Sequence, residues 1–289
     1  MKIAITGASG ALGRSVTDHV LATIPPSDLI LATRNPSALS DYAERGVQVR
    51  EADFERPATL AAAFAGADRL LLISTNAIGR RISQHRAAID AAVAAGVRFT
   101  AYTSFPLPTD QDRLTPLEAE HLATEDHLRA SSMEWCILRN FPYAEGVIGS
   151  MMEALGSGQL VTNTGSAGTA YVARADCAAA AAAVLTGSGH EGRTYDITGP
   201  QSLSADGLAA AFARVGGKPV AVVQADDETV AAGVAQATGA PLPVVLSMVG
   251  GIGRTTRAGV FAAVSQAVEQ LTGRSATAID AVLAPALGR

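Results

Sequence analysis

In the first half of the chain, short runs that are apolar at almost every position alternate with longer alanine-rich segments whose apolar residues recur at helical spacing. The runs at residues 2–6, 29–33, 47–51, 69–73, 98–102 and 134–138 predict strands. Most lack polar alternation, as parallel strands covered on both faces do. The segments at 12–24, 36–45, 57–65, 82–95 and 116–131 predict the intervening helices. Pro36, Pro57 and Pro116 suit a first helical turn, where no backbone donor is lost, and Gly46, Gly66 and Gly96 stand where a helix would stop before the next strand. Strand and helix repeated in this order predict an α/β fold built on a doubly wound parallel sheet with right-handed crossovers.

After Asn140 the pattern changes to helices separated by glycine-rich links, with one further clear strand at 193–197. This divides the chain into a sheet domain at 1–140 and a smaller, mostly helical lobe at 141–289, the late strand returning to the sheet. Residues 174–185, with six consecutive alanines, predict a helix packed closely on a neighbour. The segment from Gly250 to Arg257 is rich in glycine but follows no strand, so it reads as a flexible cover over a substrate rather than a second phosphate cradle.

Composition narrows the classes of function. The 289 residues are 48% hydrophobic and 17% charged, enough to bury a large core without disulfides. With 22 Lys+Arg against 27 Asp+Glu, the net charge of -5 offers no basic field for nucleic acid or an anionic membrane. No apolar run reaches the roughly 18 residues of a membrane span, and the first one breaks at Gly7, too soon for a signal peptide. Cys136 and Cys177, far apart, fit small buried residues of a reducing compartment. A cytoplasmic protein is therefore expected. Lys2 and Lys218 are the only lysines, which argues against a central catalytic lysine.

The sharpest motif is Thr6-Gly7-Ala8-Ser9-Gly10-Ala11-Leu12-Gly13, a GxxGxxG between the first strand and the first helix. Glycines there allow a tight turn and close approach of a pyrophosphate, whose charge meets free amides and the positive end of the helix dipole. At the end of the second strand, where a site for the unphosphorylated dinucleotide carries an acid, this chain has Arg34. A guanidinium can pair with a 2′-phosphate and stack on adenine, so NADP is favoured over NAD, the lesser alternative being a surface arginine that only solvates a helix start. Asp53, with Phe54 beside it, is placed to reach the adenine edge or to cap the next helix. The fourth strand ends at Ser74 and Thr75 and the fifth at Tyr102, Thr103 and Ser104. The sixth leads into Asn140 and Tyr143, so all three strand ends border the expected cofactor crevice. Tyr102 is equally compatible with a packed core tyrosine.

Taken with Ala32-Thr33-Arg34-Asn35-Pro36, Leu138-Arg139-Asn140-Phe141-Pro142-Tyr143, Tyr171-Val172-Ala173-Arg174-Ala175-Asp176, Tyr195-Asp196-Ile197-Thr198-Gly199-Pro200 and Leu271-Thr272-Gly273-Arg274, these motifs span nearly the whole chain. The pattern resembles the NmrA-like atypical short-chain dehydrogenases, near their quinone oxidoreductase and triphenylmethane reductase branch. The resemblance implies a Rossmann domain, NADPH bound across the sheet edge, and a C-terminal lobe that takes a small quinone-like or aromatic substrate. It also admits redox-sensing regulators without turnover, and a ketoreductase or isomerase of specialised aromatic metabolism. A homodimer stays open as the assembly.

Ordinary short-chain dehydrogenases use a Tyr-x-x-x-Lys pair, and none of the five tyrosines here has a lysine four residues on. Direct hydride transfer to an acceptor already activated by conjugation fits that absence, with Tyr102, Asn140 and Tyr143 as candidates to orient the acceptor or donate a hydrogen bond to it. His121 is a weaker candidate, since histidines without a partner pattern are usually surface or capping residues. HExxH, paired-cysteine zinc spacing, a P-loop and a GxSxG turn are all missing, so no metal and no hydrolase chemistry is expected.

Overall fold

A computed structural model describes residues 1–288 of the chain. The first part runs β1 (Ile3–Ile5), α1 (Ala11–Leu21), β2 (Leu29–Thr33), α2 (Ser40–Glu44), β3 (Gln48–Glu51), α3 (Leu60–Phe64), β4 (Arg69–Leu72), α4 (Arg81–Ala94), β5 (Phe99–Ser104), α5 (Pro116–Arg129) and β6 (Glu134–Asn140). Every expected strand and helix is present. The segments opening at Pro36 and Pro57 start as single 3₁₀ turns, and only their second halves are α-helical.

The remainder is α6 (Ile148–Ser157), β7 (Gln159–Thr162), α7 (Arg174–Thr186), β8 (Arg193–Ile197), α8 (Ala205–Gly216), β9 (Ala221–Gln224), α9 (Asp227–Thr238), α10 (Leu242–Arg257), α11 (Ala267–Thr272) and α12 (Ile279–Leu283). Seven parallel strands form one sheet in the order β3-β2-β1-β4-β5-β6-β8, a Rossmann-type doubly wound arrangement. The chain leaves this sheet after β6, returns for α7 and β8, leaves again, and returns for α11, which packs on α7 and β8.

Strand alternation divides the core in two. Ile3, Ile5, Leu29, Leu31, Ala101 and Leu138 join α1, α7 and α11 on one face. Ala4, Ile30, Leu70, Leu72 and Tyr102 join α3, α4 and α5 on the other. Each fully buried leucine or isoleucine contributes about 1.5–3 kcal/mol by leaving water. The alanine-rich α7 packs on α1 as expected, Ala178, Ala181 and Ala182 sharing a core with Val16 and Val20. At the far end Arg69, on the first residue of β4, donates to the carbonyls of Val184, Leu185 and Gly187. That pins the C-terminus of α7 at the amino edge of the sheet and sets its N-terminus at the carboxyl edge.

Two strands were not expected. β7 and β9 pair in parallel as a separate ribbon beside α6 and α8, and each has only four residues, too few and too exposed to show a period. The glycine-rich 250–257 segment is also not a flexible cover, because it forms the C-terminal half of α10. A Cβ at Gly253 would lie 2.3 Å from Asn163 Nδ2, so that glycine lets α10 close onto Asn163, whose amide bridges Asp227 and the Val249 carbonyl. Among the described residues, no helix is long and apolar enough to cross a membrane.

Candidate active site

A cleft of about 820 Å³ runs along the carboxyl edge of the sheet. Its floor at the centre is the glycine turn. Gly7 takes φ +58, which an L side chain rarely adopts, and its carbonyl accepts from the Gly10 amide at 3.0 Å. A Cβ at Gly13 would stand 2.4 Å from the Gly7 carbonyl oxygen and 2.7 Å from Ala8 Cα, so only glycine lets α1 start this close to the turn. The first turn of α1 has neither a capping side chain nor an acid. By contrast α5 is closed by a full capping box of Thr115 and Glu118. The α1 terminus is thus left with unsatisfied amides and a positive dipole end facing the cleft, which fits a diphosphate. Gly7, Ser9, Gly10, Ala11, Leu12 and Gly13 all line it. Ala8 does not; its side chain is fully buried and its amide donates to the Ala32 carbonyl.

Towards β2 and β3 the cleft is lined by Arg34, Asp53 and Phe54. Arg34 makes no ion pair among the described residues, and no acid stands at the end of β2. The Asp53 carboxylate is already engaged. It accepts from the Glu55 amide at 3.0 Å and from Arg56 Nε at 3.1 Å, and these hold its pKa below the usual carboxylate range. It holds the turn at residues 53–56 and caps neither the 3₁₀ turn at Pro57 nor α3.

In the middle, Ser74 and Thr75 follow β4 and Thr103 lies on β5, all on the cleft. The Ser74 amide donates to Thr103 Oγ1 at 2.9 Å. Thr75 is bound on every side: its amide donates to His85 Nε2 at 3.1 Å, its hydroxyl to Gln84 Oε1 at 2.8 Å, and its carbonyl accepts from Arg81 Nε at 2.8 Å. Arg81 in turn is ion-paired with Glu120 in the protein interior. The loop is therefore held from behind by α4 and α5.

Besides Ala8 and Asn140, two expected residues of β5 do not line the cleft. Tyr102 and Ser104 alternate with Thr103, so the pleat turns both away from the cleft onto the α4 and α5 face. Tyr102 is fully buried, its hydroxyl 2.7 Å from His121 Nδ1, and burial raises its pKa far above that of a free phenol. Ser104 donates to the buried Glu125 carboxylate at 2.7 Å, which Arg139 also grips through two nitrogens. Tyr102 and Ser104 serve the core, and His121 is buried with them.

At the far end stands Tyr143, just past β6. Its hydroxyl oxygen accepts from Asn140 Nδ2 at 3.2 Å, while Asn140 Oδ1 is buried and has no hydrogen-bond partner among the described residues. Asn140 itself does not line the cleft. Arg174, the first residue of α7, does, and its guanidinium lies 5.3 Å from the centre of the Tyr143 ring. In the sequence Arg174 stands inside the Tyr171–Asp176 motif with no chemical signal of its own. The signal it carries is position, since an arginine that opens a helix packed beside the dinucleotide helix must sit at the same sheet edge. Glu55, Arg80 and Gln84 also line the cleft and gave no sequence signal, being joined only by folding.

Residues 7–188 match the NAD(P)H-binding family model. Quinone oxidoreductase 2 of Escherichia coli is 41% identical over 218 residues, covering 75% of this chain and 76% of that protein. The chain belongs to the NAD(P)H-binding, NmrA-like family. Among solved structures of similar proteins, an NADPH-dependent quinone oxidoreductase from Escherichia coli in complex with NADPH superposes with TM-score 0.90 at 34% identity, covering 99% of each chain. The triphenylmethane reductase of Citrobacter sp. with NADP(H) also gives TM-score 0.90 at 34% identity, covering 99% of this chain and 100% of that one. The matched NAD(P)H-binding region, residues 7–188, includes the glycine turn and the uncapped α1.

Proposed function

We propose that the chain is an NADPH-dependent reductase that passes hydride to a quinone-like or other conjugated aromatic carbonyl acceptor. The observation that carries this reading is the Asn140–Tyr143 pair at the end of the cleft away from Arg34, in a chain with no Tyr-x-x-x-Lys pair. Because Asn140 donates to the Tyr143 oxygen, the phenolic hydrogen is left to donate to a ligand. Burial raises the Tyr143 pKa, and the neighbouring Asn140 and Arg174 offset this only in part. Tyr143 therefore stays protonated and acts as a hydrogen-bond donor rather than a proton source. Such a donor suits an acceptor whose conjugation already stabilises the electron pair it receives, with water supplying the final proton.

Bound NADPH supplies the hydride. The uncapped α1 terminus would hold its diphosphate, and Arg34 its 2′-phosphate. Thr103 and Ser74 shape the wall between these and Tyr143. The net charge of -5 supports a small-molecule acceptor over nucleic acid, and the two buried free cysteines, Cys136 and Cys177, support a reducing, cytoplasmic setting.

The deciding experiment follows the loss of reduced-nicotinamide absorbance with purified protein and a panel of quinones and aromatic ketones, NADPH and NADH in parallel. Turnover with NADPH preferred is expected. Tight NADPH binding without turnover on the whole panel would replace this reading with that of a dinucleotide sensor.

A further inference from the structure

Among the described residues, three arginines line the cleft, and two have evident work. Arg34 stands at the 2′-phosphate end, and Arg80 is paired with Glu55 at 2.7 Å. Arg174 is different. It is half-buried and stacked on the Tyr143 ring, yet among the described residues its guanidinium forms no ion pair. Glu145 touches the same residue but uses both carboxylate oxygens on its backbone amide, at 3.0 and 3.1 Å. The first amide of α7 is thereby satisfied, and the guanidinium, half-buried, is left without an ion pair of its own among the described residues. Such a charge calls for a ligand anion.

Position selects which anion. The diphosphate cradle is at the end of β1, whereas Tyr143 follows β6, and in the sheet order β1-β4-β5-β6 these are three strand spacings apart, roughly 14 Å. The charge thus lies at the end of the cleft where the reading above puts the acceptor. We infer that Arg174 anchors an anionic group of the acceptor, a carboxylate, sulfonate or phosphate attached to the conjugated carbonyl system, and so selects anionic over neutral acceptors. This rests on the reductase reading. The guanidinium fork takes two oxygens of the anion while its face stays on Tyr143, which couples anion binding to the placement of the phenolic hydroxyl.

The test compares a matched pair, 1,2-naphthoquinone-4-sulfonate and 1,2-naphthoquinone, in wild type, Arg174→Gln and Arg174→Lys. Wild type should give the higher kcat/KM with the sulfonate. Arg174→Gln should lower the sulfonate-to-neutral ratio by roughly 10- to 100-fold, the size of a lost charge-assisted hydrogen bond. Arg174→Lys should restore part of it. The ratio is the informative readout, since a disturbed Tyr143 would slow both quinones alike. An unchanged ratio overturns the proposal, and an unchanged ratio with a raised KM for NADPH assigns the residue to the cofactor's diphosphate instead. Turnover of the neutral quinone by wild type tests the reductase reading separately. If wild type reduces neither quinone, equilibrium binding of naphthalene-2-sulfonate and of naphthalene-2-methanol to the NADP⁺-loaded proteins gives the same ratio, with the same outcomes for and against.

Discussion

Asn140 gives one amide hydrogen to the hydroxyl oxygen of Tyr143 at 3.2 Å, and so fixes which way the phenol can donate. The bond occupies a lone pair, not the phenolic hydrogen, and burial keeps that hydrogen in place at neutral pH. Tyr143→Phe should therefore lower kcat for quinone reduction by about ten- to hundredfold, the worth of one hydrogen bond to a group gaining negative charge. KM for NADPH should change by less than about twofold. Steady-state kinetics with each substrate varied in turn will separate the two. Full turnover in the phenylalanine variant would remove Tyr143 from the acceptor site.

The other end of the cleft makes a cofactor-specific prediction. Arg34 is free of ion pairs among the described residues, and no acid stands at the end of β2 to receive ribose hydroxyls. Arg34→Ala should raise KM for NADPH roughly 10- to 100-fold, the worth of one charge-assisted contact. With NADH it should change little, which narrows the preference between the two cofactors. Equal weakening of both would mean that Arg34 does not read the 2′-phosphate.

Gly13 tests the cradle itself. A methyl there would meet backbone atoms at 2.4 and 2.7 Å, and neither the Gly7 carbonyl nor Ala8 Cα can step aside without moving the turn. Gly13→Ala should cost about 1–3 kcal/mol of stability, the usual penalty for overpacking. It should weaken NADPH binding at least tenfold, because the displaced turn is the one that carries the diphosphate amides. Urea unfolding and fluorescence titration check the two parts. A variant with native stability and native affinity would show that α1 can shift freely against the turn.

These contacts also show what the sequence can and cannot convey. The glycine turn was legible because Gly7, Gly10 and Gly13 are close in sequence and each has a local reason to be glycine. Most of the six strands of the first half were legible because parallel strands buried on both faces are largely apolar, whereas the edge strand β3 carries Gln48, Arg50 and Glu51. Tyr102 and Tyr143 could not be told apart in this way. Both stand near the same sheet edge, but Tyr102 lies within β5, where the pleat turns it to His121, while Tyr143 stands past the end of β6 and faces the cleft. Arg174 was hidden for another reason. Its place beside Tyr143 depends on α7 being docked against α1 and fixed from below by Arg69, contacts that span more than 100 residues of chain.

The imidazole of His85 makes acid stability measurable at one buried site. Its Nε2 accepts the Thr75 amide, and its Nδ1 lies 3.1 Å from Thr124 Oγ1, which donates onward to the Glu120 carbonyl. The ring is therefore neutral with its proton on Nδ1. Burial first, and the charge of Arg81 second, lower its pKa from the ordinary 6.5 to about 3. Above pH 6.5 neither the folded nor the unfolded chain carries this proton, and the site adds no pH dependence. Between about 6.5 and 3 the unfolded chain takes up a proton that the folded one refuses, so stability falls as pH falls, with a slope approaching about 1.4 kcal/mol per pH unit. His121, lowered in the same direction by burial, steepens that limb. His85→Gln keeps an acceptor for the Thr75 amide and removes the titration, so the drop in urea midpoint between pH 7 and pH 4.5 should be smaller in the variant than in wild type. Parallel curves over that range would show that His85 is protonated in the folded protein, and that the Thr75 loop is held by its other contacts alone.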